Sequence, residues 1–321
     1  MNDQPTTTRT DTAPPTTGHP ATPNAAAAPT RVSLSGILMM LSGATSNQFG
    51  AAVGATAFDA IGPVGVVAVR QIVGAAVLMP VVRPPLHRFT RAQWWPILLL
   101  GLVFVTMNLT LYSAVDRIGL GLAVTLEFLG PLGVALASSR RLRDLVCAVI
   151  AFAGVWILVL PGPSSDLIGV GFGLIAACCW ASYILLNRVI GRRTTGLHGA
   201  AAATLVAAVM SAPVIVVFAV QGRFDVRSVL AAVAAGVFCS AVPYALDLLA
   251  LRRVPTSVFG VFMSINPVIA ALAGLVVLHQ VPVAHELLGI AIIVAVNAAV
   301  TGMRRGRAAG QASSGVSVGA S

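Results

Sequence analysis

Apolar residues run through this chain in long blocks separated by short polar steps, with little alternation between the two kinds. Blocks long enough to cross a bilayer fall at about 33–56, 62–82, 93–114, 118–138, 143–161, 167–188, 198–220, 227–250, 255–278 and 283–303. Each has roughly 20 residues, the number a helix needs to cover a hydrocarbon core of about 30 Å. In lipid a spanning segment must satisfy its own backbone groups, so blocks of this kind predict helices with short connections. Residues 1–31 hold Thr, Pro and Ala without an apolar run, which predicts a disordered tail. That tail lacks the adjoining basic and apolar segments of a cleavable signal peptide, so the first block is expected to stay in the membrane. Residues 304–321, rich in Gly, Ser and Ala, are expected to form a second disordered tail.

Two blocks resemble each other. Gly119 to Ala137 reads GLGLAVTLEFLGPLGVALA and Pro255 to Ala273 reads PTSVFGVFMSINPVIAALA, with Pro131 over Pro267. A proline inside a helix removes one N–H and frees the carbonyl four residues back, here those of Glu127 and Met263. Such freed groups are tolerated in a bilayer where protein or a water-filled cavity satisfies them. Matching interrupted helices in two halves of a membrane protein point to a central transport site. The expected fold is all-α and polytopic: ten helices in two five-helix repeats, 32–161 and 162–303. Five is odd, so the second repeat crosses in the opposite sense and the two are inverted.

Composition agrees with a membrane class. The chain is 57% hydrophobic and 9% charged, with mean hydropathy +0.91, values outside the range of soluble domains. A net charge of +10 raises the question of nucleic acid, but the basic residues sit between apolar blocks and not on one face. With the N-terminus in the cytoplasm, sixteen of the twenty arginines fall on the inner side and three, Arg117, Arg223 and Arg227, outside. That asymmetry predicts both termini inside. The cysteines Cys147, Cys178, Cys179 and Cys239 lie in apolar runs and read as small packing residues. Gly50–Gly54 and Gly169–Gly173 have the spacing of close helix contacts.

Three ionisable residues remain inside the expected spans: Arg70, Glu127 and Asp247. A charge at mid-membrane costs at least about 2.5–3.5 kcal/mol, so each should face a cavity or a partner. Glu127 stands four residues before Pro131, which suits a ligand for a substrate amine, a proton carrier, or both; a structural pair with Arg70 is the competing reading. Arg70 offers a fork of donors that fits a carboxylate, or a helix-packing ion pair. Asp247, near Arg252 and Arg253, reads first as a gate or interfacial salt bridge. Asn108 is expected to bond between helices. Asn266 is singled out because it adjoins Pro267. Trp180, Tyr183 and Tyr244 are candidates to line a cavity, against the commoner use of such residues as anchors or packing. No HExxH, GxSxG, CxxC or phosphate loop is present, and the five histidines form no metal-like group. Neither an enzyme nor a cofactor or metal protein is expected.

The stretches GLAVTLEFLGPLGVALASSRR, CCWASYIL and SAVPYALDLLALRRVPTSVFGVFMSINPVIAALAG resemble the EamA-type exporters of the drug/metabolite transporter superfamily, most closely the inner-membrane threonine/homoserine exporters. The similarity runs from about Ser33 to Met303. It implies export of small neutral amino acids across a bacterial cytoplasmic membrane, driven by protons, with Arg70, Glu127 and Asp247 at charged positions of that group. Two departures stand out: Asn266 where the group has an acid, and His279-Gln280 where it has Gly-Glu. An exporter of amphipathic drugs or other metabolites on the same fold, with an aromatic cavity and Arg70 turned away, is the alternative. A non-transporting membrane scaffold is the alternative from another class.

Overall fold

The computed structural model describes residues 34–137, 142–158, 160, 166–243, 246 and 264–316. Tyr244 and Asp247, the tail 1–31, the last residues of the second tail and the stretch 251–263 that leads into Pro267 lie outside them. Every regular element among the described residues is helical. In chain order these are α1 (Leu34–Ala55), α2 (Phe58–Val82), α3 (Arg91–Ile118), α4 (Leu120–Glu127) and α5 (Leu129–Ala137). Then come α6 (Leu142–Leu158), α7 (Leu167–Gly191), α8 (His198–Val220), α9 (Val226–Gly236), α10 (Asn266–Leu278) and α11 (Ala284–Val316). Five segments are long and apolar enough to cross a membrane: α2, α3, the combined α4–α5, α7 and α8. Shorter apolar helices accompany them in α6, α9, α10 and α11.

Local chemistry sets the boundaries. Thr90 and Gln93 form a capping box that opens α3. The expected end of that helix near 114 moves to Ile118, with Arg117 in the last turn paired to Asp166 at 2.7 Å. Asp166 also caps α7, accepting from the Ile168 and Gly169 N–H groups. α3 stops at Gly119, whose φ of 81° turns the chain directly into α4. At the far end, α11 continues through Arg304, where the sequence pattern predicts a disordered tail, as far as Val316. The arginines and alanines of that segment favour a helix, while Gly306, Gly310 and Gly315 oppose it.

The helices pack in a repeating scheme. α3 lies along α7 and α8; α2 lies along α8 and α9; α1 packs on α9 and α10. α4 and α5 pack on α7, α4 also on α10, and α6 on α11. Small residues allow the close crossings that the glycine spacings predict. A Cβ on Gly50 would stand 2.7 Å from Phe238 Cβ, and one on Gly54 2.8 Å from Ala235 Cβ, so α1 meets α9 almost backbone to backbone. Gly169 meets Ile118 and Gly173 meets Leu126 in the same way, joining α7 to the α3–α4 corner.

Three contacts tie distant parts of the chain together. α9 runs into a π-helical turn at Val237–Ala241, where the Ser46 hydroxyl donates to Phe238 O at 2.8 Å and the Cys239 thiol to Asn47 O at 3.1 Å. His279 closes α10 in a left-handed conformation, and the Gln280 N–H returns to Gly274 O. The Gln280 side chain then accepts from the Leu120 N–H at 2.9 Å, capping α4 from 160 residues away.

Asp225 caps α9, accepting from the Arg227 and Ser228 N–H groups at 2.8 and 3.0 Å. Hydrogen bonds from the Ser228 hydroxyl, then from the backbone, hold its carboxyl below the usual carboxylate range. A depressed value means the cap contributes stability above the unfolded carboxyl's ordinary value, about 3.9, and loses it as pH falls through the lower folded value. Asp225→Ala should therefore reduce amide protection at Arg227 and Ser228 at neutral pH. Hydrogen exchange of the wild type should show that loss only below the ordinary carboxylate range.

Candidate functional site

The break inside the α4–α5 segment lies at Phe128, one residue after Glu127. The Phe128 N–H is shared between the Val124 and Leu126 carbonyls, and Pro131 offers no N–H to the Glu127 carbonyl. At the second proline, after a turn at Ser264 and Ile265, α10 opens at Asn266 with Pro267 in its first turn. Proline suits that position because the N–H it lacks would have no helical partner. Both segments bring a polar side chain, Glu127 and Asn266, to the same place.

That place is an enclosed cavity of ≈ 130 Å³. Its polar lining comes from five helices: Asn47 and Gln48 on α1, Arg70 on α2, Tyr112 on α3, Glu127 on α4 and Asn266 on α10. Trp180 on α7 supplies an aromatic wall and stands edge-to-face against Phe128 with centroids 4.6 Å apart. Glu127 is only 6% exposed, and Gln48 and Asn266 are equally buried. Gln48 Nε2 donates to Asn266 Oδ1 at 3.1 Å, fastening α1 to the start of α10. The Arg70 guanidinium carbon lies 5.3 Å from the centre of the Tyr112 ring, within reach of a cation–π contact. Tyr112 is 1% exposed and braced on its other side by Phe58, and among the described residues its hydroxyl has no hydrogen-bond partner. The ion pair found among the described residues is Arg117–Asp166, so Arg70 and Glu127 share the cavity without closing a salt bridge across it.

Two larger hollows lack this convergence. One of ≈ 320 Å³ sits at the α3–α4 and α10–α11 turns, beside Gln280 and Glu286. The other, ≈ 520 Å³, is a mainly apolar groove between α1 and the residues that follow α9, Phe238, Val242 and Leu246.

Of the residues singled out in the sequence, the cavity unites Arg70, Glu127, Trp180 and Asn266. Asn108 lies elsewhere: it is buried and donates to Phe104 O within its own helix at 2.8 Å. Tyr183 packs against Phe104 at 5.5 Å in a separate apolar cluster. Tyr112 went unremarked in the sequence. The available signal was a single ring hydroxyl in a block otherwise free of them.

A bundle of apolar helices in which a buried acid, a half-buried arginine and an amide pair converge on a small hollow has the form of a membrane transporter. The profile of the EamA-like transporter family matches residues 167–301. The threonine/homoserine exporter RhtA of Salmonella typhimurium (strain LT2) is 36% identical over 265 residues, covering 81% of this chain and 88% of that protein. Its namesake from Escherichia coli (strain K12) is 35% identical over the same shares. The chain belongs to the EamA-like transporter family. An uncharacterized transporter of Bacillus subtilis (strain 168), YvbV, is 28% identical over 142 residues, 40% of this chain and 46% of that one. One solved crystal structure shares the fold, with a TM-score of 0.53 and 21% identity over 84% of this chain and 98% of its own.

Proposed function

We propose that this chain is a secondary exporter of small neutral amino acids of the threonine or homoserine kind, working by proton antiport across the bacterial cytoplasmic membrane. The observation that carries the reading is the joint presence of Arg70 and Glu127 on one cavity of ≈ 130 Å³. An amino acid is a zwitterion. The guanidinium fork of Arg70 suits its carboxylate, and the Glu127 carboxylate suits its ammonium. With no salt bridge between them, neither must first be pulled from the other. When substrate leaves, a proton takes the place of the ammonium at Glu127, so the two compete for one group and are carried in opposite directions.

Alternating access follows from the proposed architecture of two inverted five-helix repeats with both termini in the cytoplasm. The helix contacts support the repeat, because the main ones map onto one another when the halves are exchanged, while α2–α3 and α3–α4 have no counterpart among the described residues. Under that exchange α1 becomes α7, α2 becomes α8, α3 becomes α9, α4–α5 becomes α10 and α6 becomes α11. The contact of α3 with α7 then maps onto that of α9 with α1, and α3 with α8 onto α9 with α2. Likewise α1 with α10 maps onto α7 with α4–α5, while α2–α8, α4–α10 and α6–α11 map onto themselves. A pair of this kind gives two opposite-facing conformations from one set of contacts.

The drug-exporting alternative needs an aromatic cavity with Arg70 turned away. Arg70 and Glu127 instead line this one, Tyr183 lies outside it, and its volume falls below the roughly 300–1,000 Å³ typical of drug-sized ligands. Reconstituted vesicles loaded with labelled threonine or homoserine should lose label faster when the opposite face is made acidic. Equal loss with and without the pH gradient would remove the antiport, and no loss at all would remove the amino-acid reading.

A further inference from the structure

Arg70 and Glu127 account for the two charges of an amino acid and leave the other polar wall of the cavity without a task. That wall is the Gln48–Asn266 pair. The bond from Gln48 Nε2 to Asn266 Oδ1 commits one end of the glutamine amide, and among the described residues Gln48 makes no other hydrogen bond. Its Oε1 therefore keeps acceptor capacity to spare, on a buried residue at the wall of a cavity into which a ligand fits. A buried polar group held in this condition is costly unless something arrives to satisfy it.

We infer that Gln48, fixed by Asn266, is the specificity-determining residue that reads a hydroxyl on the substrate's side chain. The site thereby selects hydroxylated amino acids over isosteres that lack the oxygen. The inference rests on the amino-acid reading above and adds the substrate's side chain to it. A hydroxyl suits the pair in either amide orientation, since it both donates and accepts. A methyl in the same place would leave the amide unpaired, so the discrimination comes from rejecting the wrong side chain as much as from binding the right one. The anchor is short and rigid for the purpose: Asn266 sits at the proline-opened start of α10, and Gln48 lies one turn from Ala51 and Ala52, which are buried in the core.

The test uses the full chain in proteoliposomes with four probes: threonine, homoserine, 2-aminobutyrate and valine. 2-Aminobutyrate lacks the hydroxyl of the first two, and valine replaces that of threonine with a methyl. The wild type should transport threonine about 10-fold more efficiently than either hydroxyl-free probe, the factor expected of one buried hydrogen bond. Gln48→Met should bring that ratio close to one, because it slows threonine and homoserine much more than it slows 2-aminobutyrate. Gln48→Asn withdraws the amide by one methylene, so it should raise the ratio of homoserine to threonine transport, because homoserine's hydroxyl reaches further. An unchanged hydroxyl preference in Gln48→Met overturns the inference while the amino-acid reading stands. Should Gln48→Met move none of the probes, the homoserine-to-threonine ratio of Gln48→Asn decides, and an unaltered ratio overturns the inference. A wild type that moves none of the four overturns the amino-acid reading itself.

Discussion

Glu127→Gln is expected to abolish uphill, pH-driven export while leaving the protein folded. The glutamine is nearly isosteric and keeps an acceptor oxygen, so the cavity retains its shape. What disappears is the group that exchanges a proton for an ammonium. A hydrogen bond to a charged partner is worth about 1.5–3 kcal/mol, so substrate affinity should also fall by about 10- to 100-fold. The two effects separate in one preparation. Equilibrium exchange of labelled for unlabelled threonine reads binding and the conformational cycle, whereas concentrative export under an imposed pH gradient reads coupling. If Glu127 were only a substrate ligand, the variant would keep coupled export with a raised KM. Concentrative export at the wild-type rate would remove Glu127 from the mechanism altogether.

Gly130→Ala should destabilise the whole bundle. A methyl group there would run into the Ala177 carbonyl oxygen on α7, with Ala177 C at 3.1 Å and Ala181 N at 3.2 Å behind it. All three are backbone atoms of a long helix, so nothing nearby can swing aside, and α5 must move off α7. Overpacking of this kind costs about 1–3 kcal/mol, and more where the obstacle is backbone. The same contact holds Phe128 and Trp180 edge to face, so the damage reaches the cavity wall. The measurement is the unfolding midpoint in detergent, read by tryptophan fluorescence. Gly133→Ala is the matched control: three residues along, a Cβ meets nothing within 4 Å, and the midpoint should hardly change.

Much of this site was legible because prolines leave a fixed mark. Pro131 announces a freed carbonyl at Glu127, and the helix parts at the next residue, Phe128. Pro267 announces the start of α10 and, with it, the place of Asn266. Rotation about the helix axis was not legible. In a soluble helix the apolar stripe identifies the inward face, but α3 is apolar nearly all round, so its sequence carries no such stripe. Asn108 and Tyr112 are four apart and share a face, yet only Tyr112 meets the cavity, since Asn108 satisfies its amide one turn back on Phe104. Tyr183 was displaced for the same reason: on α7, Trp180 turns toward Phe128 and Tyr183 toward Phe104. The length of α3 was hidden because its last charged residue, Arg117, finds an anion on a neighbouring helix that no local pattern reveals.

The bond from the Leu120 amide to Gln280 has a mechanical consequence. The group that completes the first turn of α4 follows α10, 160 residues further along the chain, so moving the end of α10 away from α4 leaves a helix end bare. Gly119 and Gly274 crowd the glutamine so closely, 3.1 and 2.8 Å from where their Cβ atoms would stand, that the side chain has no second resting place nearby. An orphaned amide in apolar surroundings pulls its partner back with about 1–3 kcal/mol. That one bond therefore resists the separation of α4 from the end of α10.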